Sequence, residues 1–276
     1  MPDEPNEPIE PTQQSLDTTG VSVILITRDE EHVIADCLES VRWADEIVVL
    51  DCGSTDRTVE ICRSFTDSVY ETDWPGFGIQ KNRALARATR DWVLSLDADE
   101  WVSPALAAEI QSRLPDTGVN GLVVPFRSSY LGRFMRYGDW RNESHLRLFR
   151  RTAGRFSDDP VHERLIVDGE IGTLENPILH YSFATLEEVQ DKVNRYSTAG
   201  AERRFSDGKR SSLVKALSHA SWTFFSGYVL KAGFLDGREG FLLAVSNAEG
   251  SFYTYLKLLY LWEDESRESR DTGDSD

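Results

Sequence analysis

Residues 92–100 read WVLSLDADE, a mostly apolar run that closes on three carboxylates. A short β-rich run bounded by turn residues reads as a strand buried on both faces. Two earlier runs share this form, VSVILIT at 21–27 and EIVVLD at 46–51. Behind the first, Val33, Ile34, Cys37, Leu38 and Val41 recur at helical spacing. Behind the second, CGSTD (52–56) is a turn in which Ser54 or Thr55 is placed to cap a helix carrying Val59, Cys62 and Phe65. A short strand near Ser68 to Glu71 leads through the loop WPGFG (74–78) to a helix over Ile79 to Thr89, and Pro104 opens another. Strands separated by helices of about 10 to 15 residues imply right-handed crossovers and a mostly parallel sheet. Up to about residue 115 the chain reads as a nucleotide-binding type of α/β half-domain.

Beyond residue 120 the texture changes to GLVVPFR (121–127), HLRLFR (145–150) and VHERLIV (161–167), which predict antiparallel strands completing a mixed sheet. A polar helix is expected from Thr185 to Phe205, followed by aromatic-rich stretches at 213–234 and 241–262 with Lys215, Lys231 and Lys257 among the rings. Such helices suit the interfacial zone of a bilayer, and equally the back of a sheet or a dimer interface.

The formal charge of −17 is concentrated at the ends. Residues 1–20 hold five acids and no base, and 263–276 hold seven acids and two Arg, leaving −7 for 21–262. Both ends read as disordered acidic tails. A mildly acidic body excludes a nucleic-acid binder, which needs a clustered basic face. Cys37, Cys52 and Cys62 indicate neither a disulfide framework nor a zinc site. With no secretory signal and no run of about 18 apolar residues, a cytoplasmic protein is expected.

In open α/β sheets, ligands bind outside the carboxyl ends of the strands. Thr27, Asp51 and Asp97 end strands at that edge, with Glu30 and Asp99 close behind. Acids gathered on one rim call for a positive partner, and Asp97-x-Asp99 offers hard oxygen ligands to Mg²⁺ or Mn²⁺. Neither a phosphate loop nor a GxGxxG fingerprint follows the first strand, and no GxSxG elbow occurs.

VILITRDEE (23–31), IVVLDCGSTD (47–56), GFGIQKN (76–82) and WVLSLDADE (92–100) together resemble the ordered motifs of family 2 glycosyltransferases with the GT-A fold. More narrowly they resemble the bacterial group that includes lipopolysaccharide inner-core β-1,4-glucosyltransferases. VHE (161–163), ILHY (178–181) and GFLDGREG (233–240) extend the likeness over roughly residues 21–262. The resemblance implies that Thr27 and Glu30 lie against the nucleoside and that Asp51 recognises the base or ribose. It brings Lys81 and Asn82 to the nucleotide from the neighbouring loop. Asp97 is then nearer the ribose, Asp99 is a metal ligand, and His180 completes the site of Mn²⁺ or Mg²⁺. Glu163 is the implied catalytic base, with Asp139, Asp158 and Asp159 as rivals. Arg147 and Arg150 could reach the leaving diphosphate, and strand alternation explains them equally.

The expected architecture is an α/β, GT-A-type nucleotide-binding mixed sheet flanked by helices, with a C-terminal aromatic-rich helical extension. Its expected parts are a catalytic domain at 21–184, divided into a nucleotide half (21–115) and an acceptor half (116–184), then a helical, membrane-associating region at 185–262. The implied activity is inverting, metal-dependent transfer from a nucleotide sugar, with a UDP-sugar expected, to a glycolipid or lipopolysaccharide-core oligosaccharide. It would take place in the cytoplasm, with peripheral contact to the inner membrane face. A sugar nucleotidyltransferase and a non-catalytic glycan-binding or membrane scaffold are the alternatives.

Overall fold

The computed structural model describes residues 20–114, 117–158 and 163–273. The acidic stretch 1–19, Asp159 and His162 lie outside them. In chain order the elements are β1 (Val21–Thr27), α1 (Ile34–Ser40), β2 (Glu46–Asp51), α2 (Thr58–Arg63), β3 (Val69–Glu71) and α3 (Phe77–Leu85). Then come β4 (Trp92–Asp97), β5 (Glu100–Val102), α4 (Pro104–Arg113), β6 (Gly121–Tyr130), β7 (Arg133–Phe134) and β8 (Ser144–Arg150). They are followed by β9 (Gly154–Phe156), β10 (Leu165–Val167), β11 (Ile171–Thr173) and β12 (Ile178–Phe183). Three helices end the chain, α5 (Leu186–Ser206), α6 (Leu213–Phe225) and α7 (Gly237–Gly273).

The main sheet runs β3-β2-β1-β4-β8-β6-β12-β5. β3, β2, β1 and β4 are parallel, and β8 enters antiparallel beside β4. This is the expected fold class, a parallel half completed by antiparallel strands, flanked by helices and extended by a helical region. Alternation puts Val23 and Leu25 on one face with Ile34, Leu38, Leu106 and Ile110. It puts Ile24, Val48 and Val93 on the other with Ala84, Phe149 and Phe156. Burial on both faces is why these strands read as continuous apolar runs.

The edge strand β5 places the acidic turn. β12 pairs parallel with β6 and antiparallel with β5, bringing His180 opposite both Ser128 and Glu100. The turn after β4 is thereby clamped against a strand about eighty residues further along the chain.

Two local expectations differ. The side chain that takes the Thr58 amide at the start of α2 is Asp56, at 2.9 Å, whereas the Ser54 hydroxyl turns back to Asp51. Carboxylates cap as well as hydroxyls do, and Ser54 has a closer acceptor. In addition α7 continues to Gly273, through a stretch expected to be a disordered tail from residue 263. Once α7 is nucleated and packed on α5 and α6, each added residue costs little, and Glu and Arg are good helix formers.

The helical region is fastened to the acceptor half by two carboxylates. Asp139 accepts from Lys231 Nζ at 2.6 Å and Asn247 Nδ2 at 2.8 Å. Asp236, only 1% exposed, accepts the backbone amides of Arg136 and Tyr137 at 2.9 and 2.7 Å. The glycines of GFLDGREG permit this joint, since a Cβ on Gly240 would lie 1.9 Å from the Gly233 carbonyl oxygen. Replacing Asp236 by Ala strands two amides without acceptors and is expected to lower stability by about 2–4 kcal/mol in denaturant unfolding, with Asp236→Asn costing about half as much.

Candidate active site

β1 and β2 end together, Thr27 opposite Asp51, and their loops are laced to one another. Asp51 is 1% exposed and accepts from the Gly53 and Ser54 amides, each at 2.9 Å, from Thr27 Oγ1 at 3.2 Å, and from the Ser54 hydroxyl. Asp29, in the left-handed region at φ 55°, accepts from the Thr55 amide at 2.7 Å. Glu30 and Glu31 give their amides to Thr58 Oγ1 and Asp56 at 2.8 and 3.0 Å. Thr27 and Asp51 thus build a rigid floor, with the Asp51 carboxylate committed to its own turn.

Above this floor lies a charged cluster. Lys81, on α3 and 6% exposed, places Nζ 3.2 Å from Asp97 Oδ1 and 3.2 Å from Glu163 Oε1. Arg147 of β8 holds the other Asp97 oxygen at 3.0 Å and also pairs with the buried Glu100. Glu100 in turn accepts the Asp97 amide at 3.0 Å and so closes the turn that carries Asp99. On the far side of the turn, His180 Nε2 lies 3.2 Å from Asp99 Oδ2. Its Nδ1 meets Ser182 Oγ at 3.1 Å and Ser128 Oγ at 3.3 Å, and Ser128 also donates to Glu143 at 3.1 Å.

α3 reaches this position because residue 78 is glycine. A Cβ there would stand 1.9 Å from the Ser157 carbonyl oxygen and 3.4 Å from Glu163 Cβ. The helix therefore lies directly against the segment bearing Glu163. Lys81, Asp97, His145, Arg147 and Glu163 line one cavity of about 350 Å³.

The electrostatics follow from this crowding. Burial would raise the Asp97 carboxyl, but Arg147 and Lys81 override it and hold the group well below the usual carboxylate range. Burial raises Glu100, with Arg147 opposing the rise and Asp97 reinforcing it. Glu30 is pushed up to about 7, first by burial and then by the negative charge of Asp99, Asp56, Asp29 and Asp97. Burial alone would lower the His180 imidazole, and Asp99 reverses this and raises it.

The expected residues divide clearly. Glu30, Lys81, Asp97, Asp99, Glu163 and His180 converge. Asn82 does not join them, because its side-chain amide donates to Phe156 O and accepts from Phe156 N, both at 2.9 Å, clamping α3 to β9. Asp139 is committed to Lys231 and Asn247, away from the cluster, and Asp158 is exposed with no role there. Of the two arginines only Arg147 belongs, since antiparallel pairing carries Arg150 back to Trp92, over whose ring it sits at 4.7 Å. Glu100, Glu143 and His145 were missed. Glu100 had a signal, as the acid re-entering a strand directly after Asp-x-Asp.

Among the described residues no set of three His, Cys, Asp or Glu side chains is gathered to hold a metal. Asp99 and His180 nevertheless present an oxygen and an imidazole nitrogen side by side. That pair fits the few protein donors that Mg²⁺ or Mn²⁺ takes when substrate phosphates complete its shell.

Residues 22–166 match the family model described as Glycosyl transferase family 2. The chain is 30% identical to the lipopolysaccharide core biosynthesis glycosyltransferase LpsC of Rhizobium meliloti (strain 1021), over 86% of this chain and 91% of that protein. It is 28% identical to the uncharacterized glycosyltransferase RT0209 of Rickettsia typhi, over 86% of each. Among solved structures it is similar to Staphylococcus aureus TarS 1–349 in complex with UDP-GlcNAc, at TM-score 0.46 and 14% identity, over 89% of this chain and 92% of that one. The chain belongs to glycosyl transferase family 2. It is a glycosyltransferase.

The raised Glu30 has a sign that can be tested. Between its ordinary value of 4.5 and about 7, the folded state holds a proton that the unfolded state has lost, so stability falls as pH rises through that window. Glu30→Gln is expected to be more stable than the parent at pH 8, by about 1 kcal/mol after solvent screening, and no more stable at pH 4, as read by thermal melting.

Proposed function

We propose that the protein transfers a sugar, with inversion, from a nucleotide sugar to a saccharide hydroxyl of a glycolipid or lipopolysaccharide-core acceptor. The observation that carries this reading is the shared Lys81, whose single ammonium group joins Asp97 of the nucleotide half to Glu163 of the acceptor half. A donor bound across Asp97 and an acceptor beside Glu163 would meet in one cavity.

Glu163 Oε1 is held by Lys81, and Oε2 has no hydrogen-bond partner among the described residues. As base, Oε2 takes the proton of the acceptor hydroxyl while that oxygen bonds to the anomeric carbon from the face opposite the leaving group. The bond from the anomeric carbon to the diphosphate breaks, and its electron pair leaves with the diphosphate. Lys81 and Arg147 stand where that charge grows. Asp99 and His180 would hold Mn²⁺ or Mg²⁺, which when bound neutralises the diphosphate. Asp51 and Thr27 keep the floor of the nucleoside site rigid. A UDP donor rests on the family resemblance, and a lipopolysaccharide-core acceptor on the similarity to LpsC.

A bilayer contact is part of the reading. Leu217, Trp222, Phe225 and Leu230 are exposed along α6 and the segment after it, Trp222 to 60%. From Gly208 to Leu235 this acidic chain has no Asp or Glu, while Lys209, Arg210, Lys215 and Lys231 lie there. Among the described residues no helix is long and apolar enough to cross a membrane. An apolar face set among bases suits the plane of an anionic interface.

Purified protein incubated with UDP-sugars and Mn²⁺ is expected to release UDP, the release being abolished by EDTA and by Asp99→Ala. Glu163→Gln should lower kcat by about 10²- to 10⁴-fold with donor binding retained. Release of pyrophosphate would instead establish the nucleotidyltransferase, and metal-independent binding without turnover the scaffold. In vesicle sedimentation, phosphatidylglycerol-containing vesicles should carry down the protein and pure phosphatidylcholine vesicles much less. The double variant Leu217→Ala, Trp222→Ala should weaken the former by about tenfold.

A further inference from the structure

A second cavity, of about 450 Å³, adjoins the first across Phe126 and Glu143. The Phe126 ring faces the His145 ring at 4.8 Å and lies under the Arg147 guanidinium at 5.3 Å. Glu143 accepts from Ser128 and meets His145 Nε2 at 3.2 Å, and His145 lines the first cavity. A molecule filling the second cavity would therefore reach the reacting centre over one side-chain wall.

The cavity is lined by Arg127, Arg136 and Arg141, with Tyr137 and Trp140. None of these three guanidinium groups makes an ion pair among the described residues. Arg133 and Arg147, on the neighbouring strands, do. Of the two carboxylates that line the cavity, Glu143 is occupied by Ser128 and His145, and Glu175 is exposed. The Arg136–Tyr137 backbone is fixed by the buried Asp236, so the cavity has a firm wall. Unpaired guanidinium forks beside aromatic rings are suited to a sugar ring that carries a carboxylate or phosphate.

We propose that this cavity is the acceptor subsite and that it takes an anionic saccharide, carboxylated or phosphorylated, whose charge seats against Arg127, Arg136 and Arg141. The proposal rests on the glycosyltransferase reading above and names its acceptor class. The wall position then explains Glu143, which lines the acceptor cavity, and His145, which backs it from the first cavity.

The test is direct binding of trigalacturonate and neutral galactotriose, measured by calorimetry on the full chain without donor. Trigalacturonate is expected to bind at least about tenfold more tightly, and Arg127→Gln with Arg141→Gln to abolish that preference while the melting temperature is kept. Arg127→Lys with Arg141→Lys, which keeps the charge and loses the fork, should retain part of it. Equal affinity for the two trisaccharides would overturn the proposal, as would a preference that survives the glutamine variants. Competition by inorganic phosphate as effective as that by trigalacturonate would overturn its saccharide part. Because binding is read without donor, these outcomes stand apart from a failure of UDP release, which would overturn the transferase reading instead.

Discussion

A buried ammonium group holds this site together. Lys81 sits at the carboxyl edge of the sheet with almost no access to solvent, and is stable there only because Asp97 and Glu163 flank it. Each partner comes from a different half of the chain, so one ammonium group links the two halves at the sheet edge. The same economy repeats at Arg147, which pairs with Asp97 and Glu100 and anchors β8 to the acidic turn. The cations expected at the crowded acidic rim are thus in part the protein's own. A metal at Asp99 and His180 would add to a balance that Lys81 and Arg147 have already begun.

The parallel half was legible because β1, β2 and β4 are buried on both faces, which leaves a continuous apolar signature. The strand-end acids were legible for the same reason, since a carboxylate closing such a run has few places to be other than the sheet rim. Long-range partnerships were not. Asn82 stands one residue from Lys81 and carries similar polarity, yet its side chain is consumed by the backbone of Phe156, a contact some seventy residues away that no local pattern encodes. Arg147 and Arg150 look alike on β8 until the antiparallel register with β4 is known. Glu100 was legible only as an acid that re-enters a strand after Asp-x-Asp, and its partner Arg147 lies 47 residues further along the chain. The helical end of the chain was mistaken where composition pointed to a solvated tail and packing of the preceding turns carried α7 onward.

The two cavities divide the chemistry by charge. The one at Lys81 mixes both signs tightly, as the proposed transfer, with a diphosphate and a base side by side, would require. The one at Arg127 is lined by three guanidinium groups that make no ion pair among the described residues. Asp236 and Asp139 link that second cavity to the helices that bear the exposed apolar face.

The pairing of β12 with both β6 and β5 has a consequence for how the molecule is made. The strands β1, β2 and β4 and their helices are complete by about residue 113, and these strands pair with one another. The turn bearing Asp99 is held by β5, whose partner strand emerges only at residues 178–183. A ribosome-bound chain can therefore assemble the nucleotide half early, while the acidic turn waits for its clamp. A pairing whose second strand lies this far along the chain must wait until that strand has been made. The turn that carries Asp99 is in this way complete only when both halves of the chain are present.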